Sequence, residues 1–339
     1  MSRRFDVAVL GADSVIGHAL LELIAERRFP VGEISALALG AEQGASVDFA
    51  GTTLMLDDAT AFDFTQAQLC FLASDDPRLA AQAERAADAG CVVIDAGGTL
   101  WRDPEIPRVV PEINAPALRG FQARGIVAAP DALVVPLALA LAPLHRLAGI
   151  RRIAATAIVP VSDAGRLAFE DLARETVALL NARHYERRHF PQQIAFNLIG
   201  QIGPAGAGGA TERERRVIDD LRALLDAPEL AVGLTVVQGA VFYGYALAVE
   251  VQLAAAQDFD AIVQALRTAP GLELIDSLEA ADCPSPVTDA TSTEAVRLAR
   301  LRPGSAADTV MFWLTADNVR RAAALNALAS AEILIREHL

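Results

Sequence analysis

The mostly apolar run Phe5–Leu10 ends on Gly11, and Gly17 follows inside the amphipathic stretch Val15–Glu26, whose apolar positions are Ile16, Leu20, Leu23 and Ile24. A strand feeding a glycine turn and then a helix has few destinations, because the helix must carry the chain back across a sheet. The pattern recurs. Ile34–Leu39, Gln68–Leu72 and Cys91–Asp95 read as strands, and Ala80–Ala89 as a helix stopping at Gly90. Near-continuous apolar strands alternating with helices predict a mainly parallel, doubly wound α/β lobe.

From Arg151 the pattern changes. Ile153–Val161, Leu234–Ala240, Ala246–Leu253 and Met311–Leu314 read as strands, with helices at Gly165–Asn181 and Glu212–Leu225. Strands without intervening helices predict a second, α+β lobe with a mixed sheet. The Ala/Leu/Val run 132–144 carries Pro136, stops at His145-Arg146, and reads as a buried helix. Gly200–Thr211 reads as a loop, and Asp317–Arg336 as an amphipathic helix capped by Asp317 or Asn318. Two lobes also suit 339 residues, since single cores stop growing near about 250–300.

Charge excludes several functions. All 29 basic residues are arginine, which removes Schiff-base, Walker and general-base lysines. The 43 acidic residues give a net charge of −14, which argues against a nucleic-acid partner. Cys70, Cys91 and Cys283 lack metal-ligand spacing, so no metal site is expected. The start offers too short an apolar run for a signal peptide, and no run of about 18 apolar residues exists for a membrane span. The expectation is a cytoplasmic protein.

The loop Gly11-Ala12-Asp13-Ser14-Val15-Ile16-Gly17 lies where a dinucleotide fingerprint belongs, with small residues admitting a pyrophosphate to a helix N-terminus. Ser14 stands at the middle glycine, and Asp13 places a carboxylate beside the anion. The alternative is a plain strand–helix turn with Asp13 as the N-cap.

The blocks GADSVIG, FPVGEISALALG, CVVIDAGG, VVPEIN, GIVAAPDALVVPLALALAPLHRLAGI, PVSDAGRLAFEDL, IAFNLIGQIG, AVFYGYALAVEV and FWLTADNVRRAAALNA occur in this order. Together they resemble the aspartate-semialdehyde dehydrogenase family, in its Usg-type branch, from near residue 5 to near 335. The resemblance implies a Rossmann-type domain over 1–128 plus the C-terminal helix 317–339, and a dimerisation and substrate domain over 129–316. It also implies NADP and phosphate as co-reactants, and a thioacyl enzyme. This sequence departs from the family at the reacting positions. Ala132 stands at the nucleophilic cysteine, Val159 at the active-site glutamine, Gln238 at the carboxylate-gripping arginine, and Tyr245 at the base histidine. Trp101 falls on a phosphate-binding arginine, with Arg102 one residue later. Glu214 and Arg216 keep the charge types of the substrate-side helix. Leu39-Gly40-Ala41-Glu42 occupies the segment whose arginine would hold a 2′-phosphate, and Glu42 would repel that phosphate, which disfavours NADP; Ser74-Asp75-Asp76-Pro77 adds carboxylates along the ribose path.

Other residues have plain readings. His184 and His189 lie in an arginine-rich segment that reads as solvated surface or subunit contact, and His18 as a surface histidine. Cys70 and Cys91 read as core residues, Cys283 as a loop residue, and Ser162 lacks a nucleophile-elbow motif. The resulting expectation is a homodimer of the dehydrogenase fold that has lost the activity, needs no cofactor, and binds NAD(P) weakly through Gly11–Gly17. Its role would be binding, scaffolding or regulation toward an unknown protein or small-molecule partner. Two alternatives stand beside it. One is an NAD(P)-dependent oxidoreductase on an aldehyde, oxo or other small substrate, with Tyr245 or Asp131 as the base. The other is a two-lobed metabolite sensor.

Overall fold

The computed structural model describes residues 3–40, 44–291 and 293–339. Its elements in chain order are β1 (Phe5–Leu10), α1 (Val15–Glu26), β2 (Val31–Ala38), β3 (Ser46–Phe49), β4 (Thr52–Asp58), β5 (Leu69–Leu72), α2 (Pro77–Asp88), β6 (Val92–Asp95), α3 (Pro111–Asn114) and β7 (Ile126–Ala128). They continue with α4 (Val134–Ala148), β8 (Ile150–Val159), α5 (Gly165–Leu180), β9 (Leu198–Ile199), α6 (Glu212–Leu224), β10 (Ala231–Gly239), β11 (Tyr245–Leu253), α7 (Phe259–Arg267), β12 (Leu272–Ile275), β13 (Val296–Pro303), β14 (Thr309–Ala316) and α8 (Asn326–Glu337). Two compact units result, one of residues 1–132 and 322–339, the other of 133–321.

In the first unit seven strands run in the order β3-β4-β2-β1-β5-β6-β7, parallel except for the β3–β4 pair. Side chains alternate across a strand. Val7, Val9, Phe71 and Ile94 therefore face a core with Leu20 and Ile24 of α1 and Leu328 and Leu334 of α8. Ala8, Leu10, Cys70, Leu72 and Val93 face a second core with Leu79, Ala83 and Ala86 of α2. Both sheet faces are covered, which is why these strands are apolar at nearly every position. Burial pushes the Cys70 thiol well above its ordinary range and the Cys91 thiol up to about 11.

The second unit has a mixed seven-stranded sheet in the order β12-β13-β14-β11-β8-β10-β9. At its centre β8 runs parallel to β10 and antiparallel to β11. The C-terminal ends of β8 and β10 thus meet the N-terminal end of β11.

Several elements depart from expectation, and β7, β9, α7, β12 and β13 were not expected from the sequence at all. The strands β3 and β4 were not anticipated, because TTLMLDD is largely exposed and lacks the apolar signature of its neighbours. The helix expected over 132–144 runs through Pro143 to Ala148 as α4, nearly all of it buried. Pro136 sits in its first turn, where the missing N–H is not needed. The C-terminal stretch is not one helix. Asp317 Oδ1 accepts from the N–H groups of Val319 (2.9 Å) and Arg320 (2.7 Å), a π-helical turn follows over Arg320–Leu325, and α8 begins only at Asn326. Most of that turn is buried, so packing rather than propensity sets its hydrogen bonds.

Candidate functional site

In the first unit, β1 ends at a tight turn. Gly11 has φ +76° and donates its N–H to Leu37 O at 2.8 Å. A Cβ on Gly17 would fall onto the Gly11 carbonyl, so only glycine lets the helix start this close to the strand end. Ser14, not Asp13, caps α1. Its hydroxyl accepts from Gly17 N–H at 2.9 Å and donates to Ala73 O at 2.5 Å, tying the helix start to the end of β5. Asp13, Val15 and His18 are exposed, and Ile16 is half-buried.

This turn has the shape that a pyrophosphate requires, since helix-opening amides such as those of Val15 and Ile16 lack intrahelical acceptors. The charge nearby is negative and repels such an anion. Asp13 and Asp75 are exposed carboxylates. Asp76 caps α2, and Arg78, bound to it at 2.6 Å, holds its carboxyl below the usual range. Glu42 lies outside the described residues. The guanidinium of Arg102 sits 5.2 Å from the centroid of the half-buried Trp101 ring, in a cation–π contact. Ala132 is a partly buried residue in the turn leading into α4, directly after the buried Asp131.

In the second unit, the sheet brings Val159, Gln238 and Tyr245 together. Val159 closes β8, and Gln238 is its register partner on β10. Tyr245 opens β11. All three are buried. The Gln238 amide donates to Val159 O at 3.0 Å and to Gly239 O at 3.4 Å, so it serves the backbone. The loops at this end are bound to one another. Val161 and Ser162 donate backbone N–H groups to Val241 O (2.9 Å) and Phe242 O (3.1 Å). Asn318 accepts from Gly244 N–H at 2.9 Å and donates to Ser162 Oγ at 3.1 Å.

Two residues that the sequence reading passed over complete this cluster. The Tyr245 hydroxyl donates to Asp163 Oδ1, and Arg213 Nη1 forms an ion pair with Asp163 Oδ2. Arg213 Nη2 lies 3.4 Å from the Tyr245 oxygen. Asp163 belongs to the turn after β8, and Arg213 to the first turn of α6. Charges fifty residues apart carry no sequence signal of their pairing. A tyrosine whose proton points at a carboxylate is not arranged to accept one.

Neighbours on α6 are engaged elsewhere. Glu214 forms a capping box with Thr211, accepting its N–H at 2.8 Å, and accepts Val236 N–H of β10 at 3.0 Å. Arg216 Nε is 3.8 Å from the buried Asp220. His184 and His189 are exposed, and no cluster of three metal-type ligands occurs among the described residues. No described helix is long and apolar enough to cross a membrane.

A doubly wound unit with a glycine turn after its first strand, joined in sequence to a mixed-sheet unit, defines a two-unit dehydrogenase-type fold with a nucleotide-binding domain. The family model "Semialdehyde dehydrogenase, NAD binding domain" matches residues 6–121, and "Semialdehyde dehydrogenase, dimerisation domain" matches 141–321. The chain belongs to the semialdehyde dehydrogenase family. It is 42% identical to a USG-1 protein homolog of Azotobacter vinelandii, over 99% of each chain. It is 36% identical to aspartate-semialdehyde dehydrogenase 2 of Vibrio cholerae, over 100% of each. The crystal structure of aspartate semialdehyde dehydrogenase II from Vibrio cholerae, complexed with ASA, matches it with a TM-score of 0.95 at 36% identity, over 100% of both chains.

Proposed function

We propose that this chain is an aspartate-semialdehyde dehydrogenase-like protein without the dehydrogenase step, acting as a homodimeric binding, scaffold or regulatory protein. The observation that carries the reading is the methyl group of Ala132 at the position where the family's motif places its cysteine. A methyl group has no lone pair with which to form a thioacyl intermediate. Cys70 and Cys91 do not replace it, because they lie in the core with thiols held protonated. At the positions matching the arginine and the histidine, Gln238 hydrogen-bonds to backbone and Tyr245 to Asp163. The Gly11–Gly17 turn supports weak NAD(P) binding through its backbone. Glu42 disfavours the 2′-phosphate of NADP, and the proposed role requires neither nucleotide. The dimer rests on the match of 141–321 to a dimerisation domain, and on exposed apolar side chains there, among them Val177, Leu180, Phe196 and Leu198.

A second reading, favoured by 36% identity to a protein named as a dehydrogenase, keeps an NAD(P)-dependent oxidoreductase with a divergent site. Fluorescence titration with NADH, where the second reading expects micromolar affinity and the first only weak binding, separates the two together with steady-state oxidation of aspartate semialdehyde with NAD or NADP and phosphate. The first reading expects no turnover above background. A rate within about a hundredfold of a common kcat near 10 s⁻¹ would favour the second. Light scattering on the same sample expects twice the chain mass.

A further inference from the structure

We infer that Asp163 is a built-in anion, whose carboxylate holds the Arg213 guanidinium and the Tyr245 hydroxyl as an external carboxylate would. A guanidinium beside a phenolic O–H is a donor set suited to a carboxylate, and Arg213 and Tyr245 both direct donors at the two oxygens of Asp163. The carboxylate is placed by a framework, not by chance. The turn that carries it is fixed through the backbone bonds of Val161 and Ser162 and through Asn318 on Ser162 Oγ. Tyr245 is buried completely, and the ion pair is mostly buried as well. Screening by water is therefore weak, and the internal ligand competes at the high effective concentration of an attached group. An anion from solution meets a site whose positive charge is already balanced. The inference deepens the reading of lost activity by naming what fills this end of the sheet.

Chemical rescue tests it. Thermal unfolding of the full chain is followed in sodium acetate and in sodium chloride at equal ionic strength. The wild-type protein responds to the two salts alike. Asp163→Ala gains a saturable, acetate-specific rise in Tm with half-saturation in about the millimolar range. The double variant Asp163→Ala/Arg213→Gln loses that rise. An equal acetate-specific rise in the wild-type protein would overturn the inference, and so would its absence in Asp163→Ala. Should Asp163→Ala not fold, Asp163→Ser carries the same expectation, and its failure to respond overturns the inference equally. The readout involves no turnover. A negative result leaves the reading of lost activity standing, and turnover in the steady-state assay would leave this inference standing.

Discussion

Gly17 illustrates how few residue types the first turn accepts. Any Cβ there meets a backbone carbonyl that cannot swing aside, that of Gly11. Gly17→Ala is expected to destabilise the chain by about 1–3 kcal/mol, the usual cost of overpacking a tight site, read as a lower urea midpoint at unchanged m-value. An unchanged midpoint would show that the turn is looser than described. Glycine spacing marks this turn in the sequence, and the backbone follows it. The cap expected at Asp13 falls on Ser14 instead, because both are good N-cap residues and the neighbouring Ala73 carbonyl holds the Ser14 hydroxyl in that role. Tyr245 was equally visible as a departure from the family's histidine. Its partners were not, since Asp163 and Arg213 come from separate elements and meet only in the folded sheet.

At the scale of elements, α5 shows buried charge organising a neighbouring segment. Asp171 on α5 accepts the N–H groups of Arg188, His189 and Phe190 and the hydroxyl of Tyr185. Glu175, one turn later, accepts those of Ile194 and Ala195. The arginine-rich segment around His184 and His189 is thus pinned to the helix by carboxylates that its own sequence does not reveal. Burial alone would raise the Asp171 carboxyl, but the backbone donors of His189 and Arg188 and the Tyr185 hydroxyl outweigh it and hold the group below the usual range. A lowered folded value contributes stability that is complete above the unfolded value, about 3.9, and is lost as the pH falls through the folded one. Asp171→Ala is accordingly expected to cost about 1.5–3 kcal/mol near neutral pH and to open the segment to trypsin at Arg187 and Arg188. Its deficit against the wild-type protein should shrink below the unfolded value. A deficit constant down to pH 2 would contradict the assignment.

Across the whole molecule, the features that could be read in advance are those that repeat along the chain. The alternation of apolar strands and helices predicted the doubly wound unit, because both faces of that sheet are buried and every strand records it. The run of strands after Arg151 predicted a mixed sheet because few helices separate those strands to carry the chain back for parallel pairing. Largely exposed strands such as β4, and ion pairs that close over long separations, leave no apolar trace. The family's motif positions are visible one by one, and at Ala132, Val159, Gln238 and Tyr245 the residue types differ from those the motif carries. The account therefore turns on whether any thiol of this chain can take up an acyl group. The direct measurement is a single-turnover experiment with aspartate semialdehyde and excess NADP, without phosphate, followed by intact-mass analysis. Under those conditions a thioacyl enzyme would accumulate with one equivalent of NADPH. The account predicts no burst and an unmodified chain mass. A stoichiometric burst with an acyl group on Cys70, Cys91 or Cys283 would contradict it.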